Sequence, residues 1–200
     1  MMEKRKLSIR RFLFELFIVF IGVYGAFELN RYQESQREQK IRENYFISFR
    51  SELAALVFNI EQNNKLIREE LDQLSNYNDS LKNQPFLPLR IQFNPSLLIT
   101  QAGFNADVFI QLSPELASSL VGGYDYVKRL EDLATDYNQL VTNELYGFQW
   151  GDLFDSSGRL KPAFVWYQKR LQFIEENFRF VGNMMANEAG PAVDEIIAEF

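Results

Sequence analysis

The chain has 200 residues, 46% hydrophobic and 15% aromatic, and a net charge of −6. That is enough apolar material for one domain with a core, and it excludes a disordered chain, a collagen-like fibre and a disulfide-stapled miniprotein. With no histidine and no cysteine, the chain lacks an imidazole base, a thiol nucleophile and the ligands of almost every zinc, haem or iron–sulfur site.

The charge is uneven. Lys4, Arg5, Lys6, Arg10 and Arg11 stand against Glu3 alone, a local +4 that leaves −10 for the rest of the chain, and nothing after Arg179 is basic. A body this acidic has no face for neutralising phosphates, so nucleic acid is excluded as a partner. Directly after the basic cluster comes an apolar stretch, Phe12 to Leu29, interrupted at Glu15. At ~1.5 Å per residue it reaches ~27 Å, against a bilayer core of ~30 Å. Glu15 and the poor cleavage site at Val23-Tyr24-Gly25 argue against a removed signal peptide. The stretch therefore reads as an uncleaved transmembrane anchor within residues 1–30. Arg31, Arg37, Lys40 and Arg42 follow it, but the denser basic cluster precedes it, which predicts a cytoplasmic N-terminus and a body outside the cytoplasm.

Wound as a helix, the anchor places Arg11, Glu15, Gly22, Ala26 and Leu29 on one side. Gly22 and Ala26 are a small-xxx-small pair of the kind that lets helix backbones approach. Glu15 either pairs with Arg11 one turn earlier or lines an interface or pore. Glu15, Gly22, Ala26 and Asn30 carry a resemblance. In that register the segment resembles a family of uncharacterised single-pass proteins of Gram-negative bacteria, a domain of unknown function. Phe14 replaces the family's usual glycine and Tyr32 its usual tryptophan. The resemblance covers Arg10 to Leu56, with a weaker echo from Ser113 to Leu133. It implies an anchor at the inner membrane, a helical body and no known activity.

From Ala26 to Gln84 there is neither glycine nor proline, so the helix leaving the membrane is expected to run on towards Pro85. Residues 31–44 are too charged to pack and read as a neck. The packed domain is expected over 45–200. Phe46, Leu53, Ile60, Ile67, Leu74 and Leu81 recur at spacing seven. A companion seam is Phe49, Leu56, Asn63, Glu70 and Tyr77, or alternatively Val57, Asn64, Leu71 and Asn78. Asn63 and Asn64 would put an amide in the packing seam, where it could fix register, but they are expected to face solvent near a bundle edge.

Pro85, Pro88 and Pro95 mark a break over 83–95. A short helix is predicted from Pro95 to about Ile110, and a longer one from Ser113 as N-cap and Pro114 as first turn. Its stripe is Leu116, Leu120, Val127, Leu130, Ala134, Tyr137, Val141 and Leu145, kinked or loosened at Gly122-Gly123. A loop over 146–160 separates it from the last long helix, starting near Pro162. There Tyr167, Leu171, Ile174, Phe178, Val181 and Met185 form one stripe, and Trp166, Phe173 and Phe180 a second. Glu175 is expected on a solvated face. Gly190-Pro191 is expected to stop the helix, leaving Val193, Ile196, Ile197 and Phe200 as an amphipathic tail.

Few residues suggest chemistry. Asp152 to Gly158 has the look of a calcium loop, but Phe154 breaks the alternation of oxygens, so a turn built on Asp155 is expected. Glu69, Glu70 and Asp72, and Glu131, Asp132 and Asp136, read as solvated helix faces. The aromatic loop Tyr146, Phe148 and Trp150 is expected to plug the end of the core, or else to contact a partner. The expected fold is all-α, an N-terminal transmembrane helix continuing into a long helix that packs in an antiparallel bundle. No catalytic, cofactor or metal residue is assigned. The expected role is a non-enzymatic scaffold or accessory subunit, self-associating or bound to another membrane protein. The alternative is a small oligomeric channel or gating subunit built on Glu15, Gly22 and Ala26.

Overall fold

The computed structural model describes residues 3–105 and 114–200. Ser113 and the helix end near Ile110 lie outside the described residues, as do the side chains of Lys4, Arg5, Lys6, Arg10 and Leu116. The described residues form six α-helices and no strand: α1 (Glu3–Ser75), α2 (Leu98–Asn105), α3 (Pro114–Leu145), α4 (Trp150–Leu153), α5 (Val165–Met184) and α6 (Gly190–Ala198). The fold is all-α. Two compact units divide the chain, one ending at Tyr45 and including Phe200, the other running from Phe46 to Glu199.

In the first unit α1 is apolar without being buried. An 18-residue window reaches a mean hydropathy of 2.0 and none of it is covered by protein, so this helix is long and apolar enough to cross a membrane. Its surface includes Phe12, Phe17 and Phe20, the last 68% exposed. Arg11 Nε donates to Glu15 Oε1 at 3.1 Å, one turn away.

The second unit holds the core. Phe46, Leu53, Ile60, Ile67 and Leu74 are all buried, and Phe49, Leu56, Asn63 and Glu70 form the companion seam. Each large apolar side chain fully buried this way contributes about 1.5–3 kcal/mol. On α3 the buried row is Leu120, Val127, Leu130, Ala134, Tyr137, Val141 and Leu145, and on α5 it is Tyr167, Leu171, Ile174, Phe178 and Val181. Helix α5 runs antiparallel to α1: Arg68 pairs with Glu175 at 2.7 Å, whereas Gly182, further along α5, lies against Ile60, further back on α1.

Four expectations need correction. Helix α1 stops at Ser75, short of Gln84; in its last turn Ser75 Oγ donates to the Leu71 carbonyl and Asn76 Nδ2 to that of Asp72. Such polar side chains compete with the helix for its own carbonyls. Asn78 then turns extended and caps a 3₁₀ turn over Asp79–Leu81. Gly122-Gly123 does not interrupt α3. Gly123 is buried against Met185, where an added Cβ would lie 3.0 Å from Cε; its smallness serves packing. Gly190-Pro191 does not stop the last helix either. A π-helical turn, Met185–Ala189, precedes it, and the Gly190 N–H reaches the Met185 carbonyl. The wider turn accommodates a proline that an unbroken α-helix would not. Asn63 and Asn64 are buried, at 5% and 8% exposure, and so are Glu70 and Glu175. In the second α5 row Phe173 and Phe180 are 49% and 55% exposed.

Two glycines give opposite expected results. A Cβ on Gly182 would lie 2.9 Å from Ile60 Cγ2, where α5 crosses α1, whereas one on Gly122 meets nothing within 4 Å. Gly122→Ala is expected to stabilise by about 0.5–1 kcal/mol through helix propensity. Gly182→Ala gains the same but overpacks the crossing by about 1–3 kcal/mol, so its Tm is expected to fall. Equal upward shifts in detergent-solubilised chain would contradict the close crossing.

Candidate functional site

The segment between α1 and α2, a strap without helix after the Asp79–Leu81 turn, is tied to the bundle by side chains. Phe86, Ile91, Phe93 and Leu97 point inward and are buried. The extended backbone between them must satisfy its polar groups without a sheet. Asn138 does this for Ile91 at both ends, accepting from its N–H at 2.9 Å and donating to its carbonyl at 2.8 Å. Asn63 Nδ2 donates to the Gln92 carbonyl at 3.1 Å and, within α1, to the Asn59 carbonyl at 2.9 Å. Leu89 is held by two phenols. Its N–H donates to Tyr167 Oη at 3.2 Å, and Tyr137 Oη donates to its carbonyl at 2.9 Å.

At the end of this network is a carboxylate. Tyr167 Oη donates to Glu70 Oε1 at 2.7 Å, and the two phenol oxygens lie 3.4 Å apart. Burial pushes the Glu70 carboxyl above its ordinary range, opposed by the Tyr167 hydrogen bond and the Leu89 backbone. Burial also raises both phenols, so neither ionises near neutral pH. A second buried carboxylate, Glu175, accepts from Arg68 Nε at 2.9 Å and Nη2 at 2.7 Å, with Arg179 at 3.9 Å. Beside it a groove of about 450 Å³ runs between α1 and α5, lined by Asn64, Arg68, Arg179, Gly182 and Asn183 among others. Glu70 and Glu175 thus hold the fold through specific donors.

The aromatic loop divides. Trp150 is buried at 8% exposure, edge-on to Phe86 at 4.9 Å and stacked near Tyr77 and Phe154. It plugs the end of the core. Tyr146 is 86% exposed, and Phe148 is half-buried against Phe164 at 5.3 Å. The strap joins this loop through the Phe86 N–H to the Phe148 carbonyl and the Trp150 N–H to that of Gln84. Asp155 builds a turn: its Oδ1 accepts from the Ser157 hydroxyl and from the N–H groups of Ser157 and Arg159. The Ser157 hydroxyl and then the Arg159 amide lower this carboxyl to about 2.

On the anchor helix, Glu15 is exposed and paired with Arg11, Gly22 has open space where a Cβ would stand, and Ala26 is exposed. Glu70, Tyr137, Tyr167 and Asn138 are the polar residues that the sequence did not single out as a group. The available signal was a tyrosine in each otherwise apolar stripe, since a buried hydroxyl needs a partner. Comparison with protein-family models, curated proteins and solved structures finds no match to this chain.

Proposed function

We propose that the chain is a non-enzymatic membrane-anchored scaffold or accessory subunit, holding a helical domain beside a bacterial inner membrane. The observation that carries this reading is the apolar helix Phe12–Leu29, exposed along its length, on a chain whose other unit has a core of its own. Protein leaves that helix uncovered, and lipid is the solvent its composition fits. The basic cluster before it supports a cytoplasmic N-terminus and a periplasmic domain. Its partners are then the bilayer and either itself or another membrane protein. The resemblance at Glu15, Gly22, Ala26 and Asn30 supports the same placement.

Orientation is tested with the cysteine-free chain. A cysteine at exposed Asn78 is expected to react with a membrane-impermeant thiol reagent in intact spheroplasts. Labelling only after lysis would reverse the orientation. The channel alternative rests on the exposed stripe Glu15, Gly22 and Ala26, and the Arg11 pair at 3.1 Å already compensates its one charge.

A further inference from the structure

Helices α3 and α5 run antiparallel, with Tyr126 edge-on to Phe180 at 5.5 Å and Tyr137 stacked on Tyr167 at 6.3 Å. Each helix carries a second apolar row, at spacing seven and turned away from the core. On α3 it is Tyr126, Leu133 and Leu140; on α5 it is Trp166, Phe173 and Phe180. The register sets these in three rungs about 10 Å apart: Tyr126 with Phe180, Leu133 with Phe173, and Leu140 with Trp166. Leu140, Tyr126, Phe173 and Phe180 are 37%, 39%, 49% and 55% exposed, and Leu133 and Trp166 are half-buried. Arg129 lies over Tyr126 and Arg170 over Phe173, each 5.9 Å from the ring. Two adjacent rows of this spacing form one half of a four-helix packing.

The charged flanks bear on what the other half is. The solvent edge of α3 carries Arg129 and Asp136, and that of α5 carries Lys169 and Glu176, all exposed. Both pairs are spaced by seven. The antiparallel register puts Arg129 level with Glu176, and Asp136 level with Lys169. Like the flanking positions of a coiled coil, each level offers opposite signs on the two helices.

We propose that this face binds a second copy of the chain across a two-fold axis parallel to the helices, α3 of each copy against α5 of the other. That operation keeps levels aligned. Arg129 then meets Glu176 of the second copy, and Asp136 meets its Lys169, while three apolar rungs close between them. A two-fold across the helices would set α3 on α3 with Arg129 near Asp136. It would also carry the two Phe46 ends, through which each chain continues to its anchor, to opposite ends of the assembly. The choice of axis therefore rests on both anchors sharing one membrane.

The cysteine-free full chain permits a direct test. Leu133→Cys and Phe173→Cys are placed in two differently tagged copies, co-expressed and oxidised in native membranes. The expected main product is the mixed disulfide between the two tags. In detergent, Arg129→Glu is expected to weaken the dimer about tenfold, since the two-fold repeats the change, and adding Glu176→Arg is expected to restore it. A Leu133→Cys product linked to its own kind overturns the axis. A monomer, or disulfides only to an unlike protein, overturns the second copy as occupant. The same membranes are washed with alkaline carbonate. A mixed disulfide on a chain that washes off supports this contact and overturns the anchor reading instead.

Discussion

Replacing Ile174 by aspartate is expected to destabilise the detergent-solubilised chain by about 4 kcal/mol, enough to abolish a cooperative melt at ordinary temperatures. Ile174 is fully buried in the centre of the α5 stripe. The substitution removes a large apolar side chain and puts a carboxylate among the apolar side chains of the core. Gln172→Ala, two positions away and exposed, is expected to change stability by no more than about 0.5 kcal/mol. Similar melting temperatures for the two variants would mean that α5 is turned differently about its axis.

The second large effect belongs to the tyrosine–carboxylate network. Tyr167→Phe keeps the ring but removes the hydroxyl that donates to Glu70 and accepts from Leu89. Two buried polar groups lose a partner, at about 1–3 kcal/mol each, so a loss of about 3 kcal/mol is expected. Glu70 adds a pH dependence whose sign follows from its burial. Its folded carboxyl takes up a proton more readily than the unfolded one. The stability linked to that proton is complete below the unfolded value of about 4.3 and is lost as pH rises through the folded value. Glu70→Gln removes the titration. Its Tm relative to the parent chain is expected to rise between acid and neutral pH. Parallel pH profiles would contradict a buried, titrating Glu70.

Much of the fold is legible in the sequence because it is written in helical period. The strict sevens from Phe46 to Leu74, the α3 row and the α5 row from Tyr167 to Val181 each predict the face that is buried. Helix ends were less legible. Helix α1 gives way where Asn78 turns extended and caps the turn over Asp79–Leu81, a local event that periodicity does not register. The same holds for Gly123 and Gly190. Glycine is read as a breaker, but close packing against Met185 and a π-helical turn can use it inside helical structure.

Polar residues in the seams were misread for a related reason. Asn63, Glu70 and Glu175 look solvated because each has a partner remote in sequence: Gln92, Tyr167 and Arg68. None of these pairs has a spacing that a single helix reveals, and the segment around Leu89 and Ile91 has no period. The loop at Tyr146, Phe148 and Trp150 was legible as a unit but not in its division. Only the strap at Phe86 decides that Trp150 is covered while Tyr146 stays exposed.

The most direct measurement is extraction of the intact chain from its own cell membranes with alkaline carbonate. Peripheral proteins wash off, whereas a helix of the length and apolarity of Phe12–Leu29 stays with lipid. Retention in the membrane pellet is the predicted result, together with release when Val19 and Ile21 are both replaced by arginine, which charges the centre of the span. Recovery of the unaltered chain in the soluble fraction would contradict the membrane anchor, and with it the reading of this protein as a tethered scaffold.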